Sequence, residues 1–254
     1  MAVEEELGVV ISQWLQGHVA AYGFSPVERF TEAPEEHHPS RVCKDAATVI
    51  VYGKTIPQAV LTSPAYNLHL LHRSYHTVYP FLDEVGFELA NLIESRGFPA
   101  VQVPSYAPLV FHGVEPWGVL SLKHAAVLAG LGAFGRSDQV YHPDFGSMLR
   151  FGAVVTTAVL PGGVVIDEEP CPPRCNACRE ACPPGAFPEG SFQKMACLGH
   201  TIKHGIYRLA LRDEEGFKNI EMIINTAGYN YWLACDECVK VCPLNKKKKR
   251  SGQG

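Results

Sequence analysis

The side chains with the most chemistry in this chain are thiols. Eight of its nine cysteines fall between Cys171 and Cys242, and Cys43 stands alone in the first 170 residues. They form two runs, Cys171-x3-Cys175-x2-Cys178-x3-Cys182-Pro183 and Cys235-x2-Cys238-x3-Cys242-Pro243, with Cys197 standing 38 residues before the second. The closing pattern C-x2-C-x3-C-P, present twice, is the ligation signature of bacterial-type [4Fe–4S] clusters. Thiolates on a tight C-x2-C turn reach different irons of one cube. The next cysteine turns away, and the proline ends the turn without donating a hydrogen bond. In two-cluster ferredoxins that fourth cysteine ligates the neighbouring cube. On this rule cluster one takes Cys171, Cys175, Cys178 and Cys242, and cluster two takes Cys197, Cys235, Cys238 and Cys182. Every cysteine of the dense region is used once.

The competing chemistry is a four-cysteine zinc site on the pairs 175/178 and 235/238. It leaves Cys171, Cys182, Cys197 and Cys242 without roles. Cys43 reads as a small core hydrophobe. Two cubes in series imply electron transfer, and a plain two-cluster ferredoxin needs far fewer residues than these. The long leader before the motifs is therefore expected to hold a redox centre or a substrate.

That leader reads as alternating helices and strands. Leu7, Val10, Ile11, Trp14 and Leu15 share one helical face, and residues 78–96 carry a second stripe capped by Gly97. Residues 46–53 and 152–160 are β-branched runs bounded by glycine or proline, residues 101–104 form a brief strand, and 121–129 a further helix. The pattern predicts a three-layer α/β or α+β domain over residues 1–162, with a cysteine-rich domain over 163–245 and a basic tail over 246–254 without fixed structure.

Charge and hydropathy narrow the class. Twenty-two basic against 26 acidic residues give a net charge of −4, and five of the basic ones sit in Lys246–Arg250. No global field draws the body to nucleic acid or anionic lipid; the basic run could touch tRNA phosphates but is more simply solvated. The first residues are acidic where a signal peptide would be positive, and no apolar run approaches ~18 residues. A cytoplasmic, reducing location without membrane contact is expected, where clustered cysteines bind metal more often than they form disulfides.

Several stretches together resemble a known family. His124-Ala-Ala-Val-Leu-Ala-Gly-Leu-Gly-Ala-Phe-Gly135, then Gly146-Ser147, a strand ending at Leu160-Pro161, Cys182-Pro-x-Gly-Ala186 and Cys235-Asp-Glu-Cys-Val-Lys-Val-Cys-Pro-Leu-Asn245 are similar to epoxyqueuosine reductase and to the cobalamin and iron–sulfur portion of the reductive dehalogenases. The resemblance covers roughly residues 45–245. It implies a nitroreductase-like α/β sandwich that holds a cobalamin, followed by a bacterial-ferredoxin-like domain with two [4Fe–4S] clusters. It further implies an electron donor of ferredoxin or flavodoxin type and either a small-molecule or a tRNA substrate. An electron-transfer protein serving a separate corrinoid protein is the non-catalytic alternative.

In that frame the corrinoid would sit above the Gly130–Gly135 turn. Gly130, Gly132 and Gly135 would allow close backbone approach, Gly146 and Ser147 would offer donors, and His124 would stand near the cofactor. An ordinary helix cap and turn explains Gly130 and Gly132 equally well. No Asp-x-His-x-x-Gly run is present, so no histidine is expected on cobalt. The family's catalytic Asp, from a V-D-[ST]-G-P motif, has no counterpart in residues 103–108; Tyr106 is the substitute acid, against simple aromatic packing. Cys171-x3-Cys175 is one residue longer than the usual spacing. His69, His72 and His76 would share one helical face, as a metal or cavity lining or as a polar surface.

Overall fold

The structure, a computed structural model, describes residues 2–106, 108–188, 191–203 and 232–245. The expected basic tail lies outside the described residues. The chain opens with α1 (Ala2–His18), β1 (Ala21–Pro26), the short α2 (Pro39–Val42), β2 (Thr48–Thr55), the long α3 (Asn67–Glu94) and β3 (Ala100–Val103). A hairpin of β4 (Leu109–His112) and β5 (Glu115–Gly118), then α4 (Leu122–Leu128), β6 (Ala133–Phe134), β7 (Val140–Tyr141) and β8 (Leu149–Thr156) complete the first part. The cysteine-rich part contains α5 (Ala177–Glu180), α6 (Lys194–Thr201), β9 (Ile202–Lys203), β10 (Trp232–Leu233) and α7 (Glu237–Lys240).

The central sheet runs β1-β2-β8-β3, and every neighbouring pair is antiparallel. Its middle strands are buried on both faces, which is why they read as unbroken β-branched runs. Ile50, Tyr52 and Val154 face a layer made by Leu7, Ile11 and Leu15 of α1 and Leu82, Val85, Leu89 and Ile93 of α3. Val49, Val51, Ala153 and Val155 face Ala125 and Ala126 of α4. Each fully buried leucine or isoleucine contributes about 2 kcal/mol through burial. The three-layer sandwich expected from the sequence is the fold observed, and Cys43 is buried in it as expected.

Helix α3 begins 11 residues before the apolar stripe expected from residue 78 and continues through Pro80. Its height over the sheet is set by Tyr52, whose buried hydroxyl donates to the Leu82 carbonyl at 3.1 Å. Gly86 makes room for that hydroxyl, because a Cβ there would collide with it. The seat also fixes the earlier turns of α3, which carry Tyr75 and Tyr79 toward the cysteine-rich part.

Candidate functional site

The two cysteine motifs fold alike. Cys175 and Cys235 each precede a residue just short of helical conformation, Asn176 (φ −122°, ψ 12°) and Asp236 (φ −141°, ψ 12°). A single turn follows, α5 with Cys178 and α7 with Cys238, and each ends before its Cys-Pro pair. The two turns pack against one another. The spacing thus gives two like-folded turns, and these pack side by side.

The surroundings of the thiols follow that pairing. Burial raises the Cys171 and Cys178 thiols, and the next influences include the Cys242 sulfur for both and Cys171 for Cys178. Burial likewise raises Cys197 and Cys235, with Cys182 near the first and Cys197 near the second. Cys238 is pushed up to about 12, by burial first, then by Cys197 and Cys235, with Cys178 and Cys182 further contributors. Cys242 thus neighbours the first motif and Cys182 the second. Thiols held protonated in this way give up their protons to a metal, which couples loading to proton release.

Donors reach the sulfurs from the sandwich. The Arg136 amide donates to Cys171 Sγ at 3.3 Å, and the Arg136 guanidinium spans Glu169 (2.8 Å) and the Cys175 carbonyl (2.8 Å). Within the cysteine-rich part the Ala186 amide donates to Cys182 Sγ at 3.3 Å, and Thr201 Oγ1 lies 3.6 Å from Cys197 Sγ. Tyr141 is buried, its phenol held protonated by burial and by its bond to Cys242, and Ser137 Oγ lies 2.9 Å from its hydroxyl. Donors aimed at cluster sulfurs raise a cluster's reduction potential.

The residues expected to cradle a flat cofactor stand against the chain itself. Gly130 (φ 80°) caps α4, its amide bonded to the Val127 carbonyl and that of Leu131 to Ala126, and its open side meets the Val164 carbonyl. Gly132 packs on the Tyr141 carbonyl, Gly135 on the Tyr141 ring and Cys171 Sγ, and Gly146 on Asn245. Ser147 is buried and bonds Asn245 through both its amide (2.9 Å) and its hydroxyl. These positions therefore seat the cysteine-rich part on the sandwich. His124 is exposed, with Nδ1 2.7 Å from Ser121 Oγ.

A cavity of about 400 Å³ lies beside them, between α3, β8, the start of α4 and α6. Tyr75, Tyr79, Lys123, Arg150, Lys194 and Cys197 are among its walls, so one expected cluster ligand borders the space. Arg150 is buried, donating to the Ser147 (3.0 Å) and Leu149 (2.7 Å) carbonyls and to the Tyr75 hydroxyl, with its guanidinium 4.5 Å from the Tyr75 ring. Lys123 is held by Asp138. Among the described residues no histidine lines it. The volume suits a small-molecule site. Its cations, with Gln139 and Thr201, suit a ligand rich in carbonyl or carboxylate oxygens.

Tyr106 is half-buried with its ring 5.4 Å from that of Tyr79, one ring back from the cavity wall. Burial raises its phenol well above the usual tyrosine range. The adjacent Ser105 does line the cavity, and its amide is held by the Asp83 carboxylate at 2.8 Å. Asp83 thus brings a carboxylate from α3 to the stretch 103–108, which carries none of its own. The three histidines do lie on α3. His72 and His76 pack ring to ring at 4.3 Å, and His72 Nδ1 accepts the Leu233 amide at 3.2 Å, so this face receives the strand before Cys235. Asn67, on the same helix, donates to the buried Asp236 at 3.2 Å.

Comparison with known proteins bears directly on this arrangement. No family model matches the chain. An epoxyqueuosine reductase of Pseudomonas aeruginosa is 33% identical over 136 residues, covering 52% of this chain and 34% of that protein. One of Prochlorococcus marinus is 34% identical over 124 residues, covering 47% and 35%. The matched part thus spans about a third of these relatives' length. In three dimensions a solved epoxyqueuosine reductase in complex with an epoxyqueuosine-modified tRNA-Tyr stem loop superposes with TM-score 0.62 at 18% identity, covering 96% of this chain and 66% of that one. A catabolic reductive dehalogenase in complex with 3-bromo-4-hydroxybenzoic acid superposes with TM-score 0.58 at 14% identity, covering 90% of this chain and 30% of that one. The fold is that of the epoxyqueuosine reductases and the reductive dehalogenases. The resemblance drawn from the glycine and cysteine motifs is therefore matched in sequence by the former and in fold by both. Among the described residues no helix is long and apolar enough to cross a membrane.

Proposed function

We propose that this chain is an iron–sulfur oxidoreductase of the epoxyqueuosine reductase type, with its reducing site in the cavity bordered by Cys197. What supports the reading is the neighbourhood of the thiols, with Cys242 beside Cys171 and Cys178, and Cys182 beside Cys197 and Cys238; on it Cys171, Cys175, Cys178 and Cys242 would form one ligand set and Cys197, Cys235, Cys238 and Cys182 the other. The donor chemistry fits two [4Fe–4S] clusters, each held by four thiolates. It fits single zinc ions poorly. A four-cysteine zinc site would leave half of the eight clustered thiols without a metal. Domain limits of 1–162 for the sandwich and 163–245 for the cluster part belong to the same reading.

Two clusters held by these thiolates would supply one-electron chemistry between an external donor, of ferredoxin or flavodoxin type, and the cavity. A corrinoid, when bound, would add a low-potential metal centre at the reducing end. The donors on the cavity wall suit that group's polar periphery, while the cavity's volume of about 400 Å³ is room for a small substrate and not for the whole macrocycle. Lys123, Gln139, Arg150, Lys194 and Thr201 are donors suited to the amide groups of a corrin periphery. Arg150 orients Tyr75 and Lys123 is fixed by Asp138, so both cations are positioned before a ligand arrives. Tyr106, kept protonated by burial and one ring behind Tyr79, would deliver its proton through Tyr79, the phenol on the cavity wall.

The comparisons favour the tRNA substrate over an unassigned small molecule, because the sequence relatives are epoxyqueuosine reductases. The test is direct. Anaerobically reconstituted protein is expected to hold about eight irons, to bind hydroxocobalamin, and to remove the epoxide from epoxyqueuosine-containing tRNA with a chemical reductant. Iron and cobalamin binding without turnover of that tRNA would discard the substrate assignment. Zinc in place of iron would discard the whole reading.

A further inference from the structure

Away from the cysteines, three metal-ligating side chains converge on one point. Glu36 and His37 belong to a short 3-10 turn, Glu35–His37, and His112 ends β4 of the hairpin. His37 Nε2 and His112 Nε2 are 2.8 Å apart, and a Glu36 carboxylate oxygen lies 3.3 Å from His112 Nε2. All three ligand atoms fall within 4.8 Å of one another. We propose that Glu36, His37 and His112 form a binding site for a divalent first-row transition metal, distinct from the cysteine sets.

The proton inventory argues for a cation. A neutral imidazole brings two nitrogens and one N–H, and a carboxylate brings only lone pairs. One N–H shared between the facing nitrogens leaves the third ligand atom against another lone pair or at a longer distance. A divalent cation accepts all three at once and cancels the carboxylate's charge. Metal–nitrogen bonds near 2.05 Å place two nitrogens ~2.9 Å apart at a right angle, close to the separation observed. Two histidines and one carboxylate on one face is also the ligand set that leaves coordination positions open.

The surroundings hold the imidazoles in place. The Trp117 ring stacks on His37 at 5.0 Å with 15° between planes, and meets His112 edge-on at 6.0 Å. Trp117 is itself covered by Lys194 Nζ at 4.2 Å from its centroid. His37 is buried, and its Nδ1 has no hydrogen-bond partner among the described residues, so nothing there fixes its tautomer against Nε2 ligation. Glu36 and His112 are 71% and 39% exposed, which gives an ion an entry path and room for water. An ion here would clip the loop before α2 to the β4–β5 hairpin.

The test uses the cluster-reconstituted protein and Co²⁺ as the spectroscopic probe, with His112→Gln and Glu36→Gln as variants of exposed side chains. Wild-type protein is expected to bind one cobalt beyond its iron, with ligand-field bands of nitrogen and oxygen ligation and no thiolate charge-transfer band. His112→Gln should weaken that binding at least about 100-fold, with the iron content and denaturation midpoint of the metal-free protein unchanged. Equal cobalt binding with the same spectrum in wild type and His112→Gln, or no extra cobalt in wild type, overturns the site. The readout is a difference between proteins with the same cysteines, so it stands apart from the fate of the cluster assignment.

Discussion

Asn245, the last residue of the second cysteine motif, is locked to Ser147 at the start of β8. Its side-chain oxygen accepts the Ser147 amide and hydroxyl at 2.9 and 3.2 Å, and its amide nitrogen lies 2.8 Å from Ser147 Oγ and from the Val239 carbonyl. Both residues are buried. One asparagine therefore ties the turn that carries Cys238 and Cys242 to the central sheet. Asn245→Ala leaves the Ser147 amide and the Val239 carbonyl unpaired, at a cost of about 2–4 kcal/mol. Denaturant unfolding of the reconstituted protein should show that loss, with Ser147→Ala costing less, about 1 kcal/mol. A change within experimental error for Asn245→Ala would mean that the cluster part is anchored elsewhere.

Gly135 has the Tyr141 ring and Cys171 Sγ where a side chain would stand. Gly135→Ala should displace Cys171 and strip the cluster it ligates. Iron is expected to fall from about eight to about four per chain, with the other set intact. Full iron retention would show that the Gly135 turn does not seat this sulfur.

Tyr106 should matter through its proton. Tyr106→Phe is expected to lower the rate of epoxide reduction by roughly 100-fold or more, with cluster absorption unaltered. Because burial raises this phenol above its ordinary value near 10, the proton stays in place throughout the neutral and mildly alkaline range. The group is lost only at still higher pH, so the wild-type rate should show no alkaline limb from Tyr106 below about pH 10. An unchanged rate in the phenylalanine variant would pass the role to Tyr79 on the cavity wall.

The sequence made some of this legible and hid the rest for physical reasons. Cysteine spacing is local geometry, so the two like-folded turns could be read from residue numbers alone. The buried strands and the amphipathic helices were equally plain, since each face of the sandwich demands its own period. The antiparallel order β1-β2-β8-β3 was not, because periodicity does not encode pairing. Small residues announce close approach without naming what approaches: Gly135 meets Cys171, and Gly146 and Ser147 meet Asn245. The cavity was out of reach, since Tyr75, Tyr79 and Arg150 meet only once α3 is seated on β2 by Tyr52. Arg150 did leave a signal, as the one charge in the otherwise apolar and fully buried β8. Asp83 and the pair His37 and His112 meet their partners across long stretches of chain, and no motif joins them.

The cross-pairing of the two cysteine motifs is tested most directly by iron content in two double variants. Cys171→Ala with Cys242→Ala removes two ligands from one proposed set, and should leave about four irons per chain. Cys171→Ala with Cys182→Ala removes one ligand from each, and should leave neither cluster whole. If the 171/182 variant instead keeps one intact cluster while the 171/242 variant loses both, each motif holds its own metal and the cross-paired arrangement is wrong.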